Sequence, residues 1–340
     1  SKAAVFAYDD GVTDDIALIK LFDKYGVKGT FNLVGSRLEN NYKNVAEEMN
    51  TDVYSAVKEV YKNHEIQNHT YTHKPLYLME GETSKDSYGN ILTGCSLAEA
   101  AEEVTKNKSF LEEKLGVSTR GIAWPNGYPQ VRTDYDELER LVKENGHEYA
   151  RYKESGKFTL PDNWMQWQPT CRHIDAPYYT KQFVSMPNGG DLKLYYVWGH
   201  AYEFTNAGAD ESKNLTMMEN TLSDLYYDNV WFASCNELYD YIHAVNQLEI
   251  TDTQIKNNSA QTIYVHVNGV NTSIKAGESY TVGDKGEEIA ERPEIVPLPE
   301  IFIDDSNREN IAAYTERDYG DLIMASYDGD GRLIKAVLAD

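Results

Sequence analysis

The sequence predicts an α/β protein in which a parallel β/α barrel or a doubly wound sheet precedes a β-rich domain. Over the first 250 residues, short apolar runs alternate with amphipathic helices, which is the pattern of parallel strands joined by helical crossovers. Near Thr251 the composition changes to short segments of alternating polarity. We therefore expect two domains, residues 1–250 and a sandwich-like accessory domain of residues 251–340.

The first domain opens with an apolar run at 3–8, typical of a strand buried on both faces. A helix follows, with Thr13 as its predicted N-cap and Gly26 beyond its end. Glutamates three residues after Ser96 and Ser234 predict capping boxes at two later helices. Strands are predicted at 3–8, 29–34, 64–68, 121–124, 148–151, 192–198 and 230–233. Helices are predicted at 14–25, 51–62, 97–115, 134–145, 215–226 and 235–245.

The second domain is predicted to consist of hairpins. Alternating segments at 262–267, 272–275 and 279–282 are separated by Asn268-Gly269 and Ala276-Gly277, which are turn sequences. A proline-rich link at 291–300 precedes two further segments, which flank the turn Asp328-Gly329-Asp330-Gly331. We interpret that acidic turn as a plain hairpin turn, because the other ligands of a calcium loop are missing.

The charge balance excludes two classes of partner. The chain has 32 basic and 55 acidic residues, a formal net charge of −23, whereas nucleic acids and anionic membranes require a basic surface. A neutral or cationic partner is mildly favoured. No apolar stretch approaches the roughly 18–20 residues of a membrane span. Three widely spaced cysteines predict buried free thiols, with a single bridge left open.

Four polar clusters follow predicted strands at the point where each strand ends. Because parallel strands direct their carboxyl ends to one face, we expect these side chains to form one active site there. The clusters are Asp9-Asp10-Gly11, His69-Thr70-Tyr71-Thr72-His73, Pro125-Asn126-Gly127 and Gly199-His200.

His69 and His73 are the candidate ligands of a transition metal. The β-branched neighbours Thr70 and Thr72 and the following Pro75 favour a loop or tight turn over a helix. In either conformation two imidazoles converge, which suits zinc. The alternative is that both are ordinary surface or capping histidines.

Asp9, Asp10 and His200 are the candidates for proton transfer and metal binding. Neighbouring carboxylates repel each other, so a cation would stabilise the pair, and one could bind a metal while the other accepts a proton. The alternative is a capping pair for the next helix. His200 ends an aromatic strand, and its imidazole suits a general acid or base, although a buried structural histidine is the alternative.

Together these motifs resemble the polysaccharide deacetylases, the NodB homology domain of carbohydrate esterase family 4, over about residues 2–248. The resemblance implies a distorted β/α barrel and a divalent metal, commonly zinc. It implies that Asp10, His69 and His73 are ligands, that Asp9 is the general base and that His200 is the general acid.

The third family motif departs from this pattern. Many members have Arg-x-Pro-Tyr/Phe-Gly, whose arginine pairs with the catalytic aspartate, whereas Ala123 takes that position in Ala123-Trp124-Pro125-Asn126-Gly127. We predict that Arg151 supplies the missing guanidinium and that the N–H of Asn126 is an oxyanion donor. Substrate binding is assigned to aromatic residues and a proline, namely Trp124, Pro125, Trp164 and Trp198.

The function predicted from these motifs is metal-dependent removal of acetyl groups from an N- or O-acetylated carbohydrate. An amide or imide hydrolase of small molecules and a carbohydrate-binding protein without catalysis are the alternatives, the latter suggested by Ala123. We expect an extracellular, periplasmic or cell-envelope location. Since Ser1 directly precedes a predicted strand, we expect that an upstream segment has been removed.

Overall fold

The computed structural model describes residues 2–86 and 89–286, and beyond them the backbone of four strands. The chain divides into two compact units, Ser1–Glu291 and Arg292–Asp340.

A parallel sheet forms the centre of the first unit. Its pairing order is β7-β6-β3-β2-β1-β9-β8, and β10 pairs with the start of β1. The strands up to this point are β1 (Lys2–Asp10), β2 (Thr30–Leu33), β3 (Glu65–Asn68), β4 (Thr83–Lys85), β5 (Ile91–Thr93), β6 (Gly121–Ala123), β7 (Tyr149–Arg151), β8 (Cys171–Arg172), β9 (Lys193–Gly199) and β10 (Trp231–Phe232). The predicted parallel α/β architecture is confirmed.

Helices connect the strands of this sheet. They are α1 (Asp15–Lys24), α2 (Leu38–Glu48), α3 (Val53–Val60), α4 (Leu97–Leu115), α5 (Tyr135–Glu144), α6 (Ala176–Ser185), α7 (Tyr202–Asn206), α8 (Leu215–Tyr227) and α9 (Cys235–Val245). Among the described residues, no helix is both long and apolar enough to cross a membrane.

One irregular segment joins the two outer strands of the sheet. Trp167 forms a parallel bridge with Arg151 of β7, and four residues later β8 pairs with β9. The Trp167 N–H donates to the carbonyl of Ala150 at 2.9 Å, and the Tyr152 N–H donates to the carbonyl of Trp167 at 2.8 Å. The sheet therefore curls into a distorted barrel, as the family resemblance implied.

The inside of the curled sheet is packed with small and large side chains in alternation. Ala3, Val5 and Ala7 of β1 face the large rings of Trp167 and Tyr196. The intervening residues of β1 face the helices, where Phe6 contacts Phe22 and Tyr8 contacts Phe204. Burial on both faces explains why β1 is a continuous apolar run.

The capping predictions are confirmed at two helices and wrong at one. Ser96 with Glu99 and Ser234 with Glu237 form capping boxes on α4 and α9. The predicted cap Thr13 is wrong, because α1 begins one residue later with Asp14 at the N-cap. The Asp14 carboxylate accepts a hydrogen bond from Thr205 instead of capping the helix.

Several elements were not predicted from the sequence. Helices α2, α6 and α7, strand β8 and the hairpin of β4 and β5 fill segments that had been left without structure, and two short strands follow residue 247. Helix α2 follows β2 after a single 3-10 turn and buries Leu38, Tyr42 and Ala46 at a spacing of four residues, which is the signal that could have revealed it.

The β-rich region after residue 247 differs in part from the prediction. The hairpin across Asn268-Gly269 is confirmed, whereas Ala276-Gly277 joins strands that do not pair with each other. Tyr241 of α9 bonds with its hydroxyl to the N–H and carbonyl of Tyr264. The strands are β11 (Leu248–Ile250), β12 (Gln254–Asn257), β13 (Ile263–Val267), β14 (Val270–Ile274) and β15 (Ser279–Thr281).

These contacts bear on the predicted division at residue 250. The first compact unit continues to Glu291, so β11–β15 belong to it. The second unit contains two antiparallel pairs, β16 (Ile301–Asp304) with β17 (Ala312–Thr315) and β18 (Leu322–Tyr327) with β19 (Leu333–Ala339). The last pair matches the predicted hairpin strands. The proline-rich link and the turn at 328–331 lie outside the described residues.

Candidate active site

The carboxyl ends of the parallel strands surround one cavity of about 790 Å³. Asp9, Asp10, His69, His73 and His200 all line it, as the shared position of their motifs at strand ends predicts. The structure therefore brings together the five residues proposed for metal binding and proton transfer.

Asp9 is buried and held by two neighbours. Arg151 donates two hydrogen bonds to it, from Nη1 to Oδ1 at 2.7 Å and from Nη2 to Oδ2 at 2.5 Å. Asn32 donates a third, at 2.9 Å to Oδ1. Burial by itself would raise the pKa of Asp9, but the charges of Arg151 and His69 outweigh it and hold that pKa well below its ordinary value. Asp9 is therefore ionised and fixed in orientation.

Asp10 reaches the same cavity because the backbone turns at this residue. Successive side chains of a strand point to opposite faces, so Asp9 and Asp10 would diverge in a regular strand. A φ of 84° at Asp10 breaks the alternation. Gly11 continues the turn at φ 68°, where an added Cβ would lie 2.9 Å from the Leu33 side chain. This turn explains the glycine that follows the two aspartates.

His69 and His73 lie on a loop, as predicted, and their rings meet edge to face at 4.9 Å. His69 Nδ1 donates to the carbonyl of Ala123 at 2.7 Å, which leaves Nε2 free of a proton and directed to the cavity. The loop is tied to α4, since Glu103 accepts from the N–H and hydroxyl of Thr72.

Asp10, His69 and His73 fit a metal ion. One ligand atom from each lies within 4.8 Å of the other two. Asp10 Oδ1 is 3.3 Å from His73 Nε2 and 3.7 Å from His69 Nε2, close to the roughly 3.3 Å between ligands of a tetrahedral zinc with bonds of about 2.0 Å. The same Oδ1 is buried and has no hydrogen-bond partner among the described residues, which is costly unless a cation binds there.

Unusual backbone conformations concentrate around this cluster. In the described part of the chain, seven non-glycine residues have positive φ. Three are asparagines away from the cavity, but Asp10, Thr70, His73 and Asn126 all belong to the loops that line or border it. A β-branched residue such as Thr70 rarely adopts this conformation, so the loop is held there by its surroundings.

His200 lies at the end of β9 and is oriented by a carboxylate that the sequence analysis missed. Its Nδ1 donates to Oε1 of Glu203 at 3.2 Å. Glu203 also accepts from Arg172, and its Oε2 lies 3.0 Å from Nε2 of His173. Burial lowers the pKa of His200, and the charges of Asp9 and Asp10 oppose this effect. His200-x-x-Glu203 is a helical-turn spacing, which is the signal that could have revealed the pair.

The remaining predicted residues fall into two groups. Asn126, Trp124 and Trp198 line the cavity, and the Arg151 guanidinium lies 4.4 Å from the Trp198 ring centre. Trp164 does not reach the cavity, because its ring packs against Trp167 at 4.8 Å and against Tyr239.

Pro125 is buried and does not line the cavity either. The structure thus gives no support to Trp164 or Pro125 as substrate-binding residues. Arg37, Tyr77, Lys85 and Arg172 line the cavity without having been predicted, since no motif marks them in the sequence.

The fold and the site define an α/β barrel with a candidate metal centre of the kind found in hydrolases. Comparison with known proteins indicates which family of such proteins the chain is similar to. Residues 1–150 match the sequence model of the polysaccharide deacetylase family. This match confirms the resemblance inferred from the motifs for that part of the chain. No protein of curated function matches the chain in sequence.

Several solved structures are similar to part of this chain at low sequence identity. A family 4 pseudoenzyme from Bacillus anthracis is 15% identical, with a TM-score of 0.44, over 70% of this chain and 65% of its own. A polysaccharide deacetylase from Bacillus cereus is 16% identical, with a TM-score of 0.40, over 69% and 92%. A Streptomyces lividans family 4 esterase in complex with acetate is 12% identical, with a TM-score of 0.40, over 67% and 90%.

Proposed function

We propose that the protein removes acetyl groups from an N- or O-acetylated carbohydrate by metal-dependent hydrolysis. The observation that carries the proposal is the juxtaposition of an arginine-paired carboxylate with a three-ligand cluster and a histidine, all on one cavity. An extracellular or cell-envelope location is part of the proposal, because acetylated structural glycans occur there.

Asp10, His69 and His73 would hold the metal, and zinc suits this carboxylate and imidazole set. When bound, zinc supplies a Lewis acid that activates water and polarises a carbonyl oxygen. Three protein ligands leave coordination positions open, as a catalytic site requires.

Asp9 is the general base of the proposed mechanism. Its carboxylate is ionised and lies beside the ligand cluster, with Oδ2 3.8 Å from His69 Nε2. Two hydrogen bonds from Arg151 hold both oxygens and fix the direction in which the carboxylate can accept a proton from water. Arg151 therefore takes the place of the motif arginine that is absent at Ala123.

His200 is the proposed general acid, which protonates the departing amine or alcohol. Glu203 accepts the Nδ1 proton of His200, so Nε2 remains for the substrate. The N–H of Asn126, on the loop after β6, is the proposed donor to the oxyanion.

The shape of the surface favours a glycan over a small amide or imide. The cavity adjoins a shallower hollow of about 520 Å³, and Tyr77 lines both. Two adjoining hollows offer room beyond the cavity itself, which suits an extended substrate.

The first test is acetate release by the zinc-loaded protein from a panel of N- and O-acetylated saccharides. We expect release by the wild type and none above background by Asp9→Asn, which removes the proton acceptor but none of the metal ligands. Zinc content measured on the same samples should remain at one ion per chain in the variant.

Asp136→Asn is the matched control, since Asp136 is exposed on α5 away from the cavity. It should release acetate like the wild type. Activity retained in Asp9→Asn would show that Asp9 is not the base. Zinc binding without release from any substrate would favour the imide hydrolase or the inactive carbohydrate-binding protein.

A further inference from the structure

The cavity differs in charge from the chain as a whole. The protein has a net charge of −23, but three cationic side chains from separate segments line the cavity and are open to solvent. Arg37 precedes α2 and is 44% exposed, Arg172 of β8 is 42% exposed, and Lys85 on the β4–β5 hairpin is exposed.

The carboxylates that line the same cavity are all engaged by neighbours. Asp9 pairs with Arg151, Asp10 belongs to the ligand cluster, and Glu203 accepts from Arg172 and His200. Asp86 accepts from the N–H and side-chain amide of Asn90, at 2.9 Å each.

Two of the cavity's cations have a weak ion pair or none. Lys85 forms no ion pair with any described residue, and Arg37 has only a loose one, 3.6 Å from Asp10 Oδ1. With a divalent ion on the ligand cluster, Asp10 would have still less charge to offer Arg37. Because Lys85 and Arg37 are also open to solvent, an anionic group could bind them there.

The wall that carries Lys85 is anchored. Arg132 is buried and donates from Nη1 to the carbonyls of Leu76, Leu78 and Cys95, at 3.2, 3.0 and 3.2 Å. These carbonyls lie at the two ends of the segment 76–95, so the Arg132 guanidinium holds the two ends together. Lys85, which lines the cavity, lies on the hairpin of β4 and β5 within this anchored segment.

From this arrangement we infer that the substrate is an acetylated glycan that carries an anionic substituent, bound by Lys85 and Arg37. The inference rests on the proposed function and specifies its substrate class. A carboxylate and a sulfate ester present the same chemistry to the two cations, and the experiment distinguishes these two sources.

The experiment compares three tetramers of N-acetylglucosamine: unmodified, 6-O-carboxymethylated and 6-O-sulfated. For each, kcat/KM for acetate release and Kd for the zinc-loaded protein are measured at low ionic strength. We expect at least one anionic tetramer to exceed the neutral one about tenfold in both measurements, and the preferred tetramer names the anion. Lys85→Gln should reduce this ratio about fivefold, and Arg37→Gln should also reduce it.

Lys181→Gln is the matched control, because it makes the same charge change on α6, outside the cavity lining. It should keep the wild-type ratio. Equal kcat/KM and equal Kd for the three tetramers would overturn the inference while leaving the proposed function intact. A ratio unchanged in both Lys85→Gln and Arg37→Gln would overturn it too. If no tetramer is deacetylated but an anionic one binds more tightly through Lys85, the inference stands and the proposed function fails for these glycans.

Discussion

Asp9 and Arg151 form a buried ion pair at the centre of the proposed mechanism. Both are buried, and their two parallel hydrogen bonds match the fork of a guanidinium to the two oxygens of a carboxylate. A lysine could keep the positive charge but not this geometry. Replacing Arg151 with lysine therefore tests the effect of the orientation of Asp9 separately from the effect of the charge.

Arg151→Lys should lower kcat/KM at least about tenfold, because Asp9 keeps a cation but loses its fixed orientation. The measurement is acetate release, with the free energy of unfolding determined alongside. Arg120→Lys is the control, since Arg120 also binds a carboxylate with two nitrogens, on Asp240, but precedes β6 at the opposite end of the strand. Full activity in Arg151→Lys would contradict the role of Arg151.

Glu203 is a positioning residue that acts through His200. Glu203→Gln keeps the shape but removes the charge that pairs with Arg172 and His200, so we expect kcat to fall about tenfold with little change in KM. Loss of the negative charge should also lower the pKa of His200, which moves the basic limb of the pH–rate profile to lower pH. An unchanged profile would contradict this role, and Glu137→Gln on α5 is the surface control.

At the level of elements, short loops at strand ends carry the functional groups and longer elements hold them. The loop from His69 to His73 is fastened to α4 through Glu103, and the cavity wall at 76–95 is fastened through Arg132. Neither anchor touches the cavity. They explain how loops with positive φ values and few internal hydrogen bonds keep one conformation.

Arg132→Met should destabilise the protein by about 3 kcal/mol, because it removes three buried hydrogen bonds to carbonyls and leaves Asp134 without its partner. Chemical denaturation measures the loss, and limited proteolysis should show earlier cleavage within 76–95. Arg140→Met is the control on α5, where exposed ion pairs contribute little to stability. Equal stability of the two variants would show that Arg132 does not anchor the wall.

For the whole molecule, buried neutral histidines couple folding to pH. His147 is buried between the Asn68 amide and the carbonyl of Val142. Burial, with the charge of Lys108, lowers its pKa to about 4. The unfolded chain, with a histidine pKa of about 6.5, binds the proton first, so stability is lost as the pH falls from about 6.5 to 4.

This histidine alone should reduce the free energy of unfolding by about 2 kcal/mol between pH 7 and pH 5. The measurement is denaturant unfolding at both pH values for the wild type and His147→Gln. The variant should lose less stability on acidification than the wild type, although its stability at pH 7 can be lower. His266→Gln on the exposed hairpin should lose as much as the wild type. Equal losses in His147→Gln and the wild type would contradict the assignment.

The sequence by itself determined most of the parallel strands and helices in their order along the chain, and the motifs of the active site. These features are local: apolar runs, capping serines and turn glycines depend on neighbours within a few residues. The clusters around Asp9, His69 and His200 could be assigned to one cavity because parallel strands share the direction of their carboxyl ends.

Tertiary structure alone decided the features that depend on contacts between distant segments. The pairing of Arg151 with Asp9 joins residues 142 positions apart, and although the sequence analysis predicted Arg151, the two parallel hydrogen bonds are visible only in the folded sheet. The predicted hairpin across Ala276-Gly277 is wrong because these residues join strands of two different sheets. Turn sequences predict a change of direction, but which strand the chain then meets is settled by packing. The placement of Lys85 and Arg37 on one cavity arises in the same way, since residues far apart in a strongly acidic chain meet only after folding.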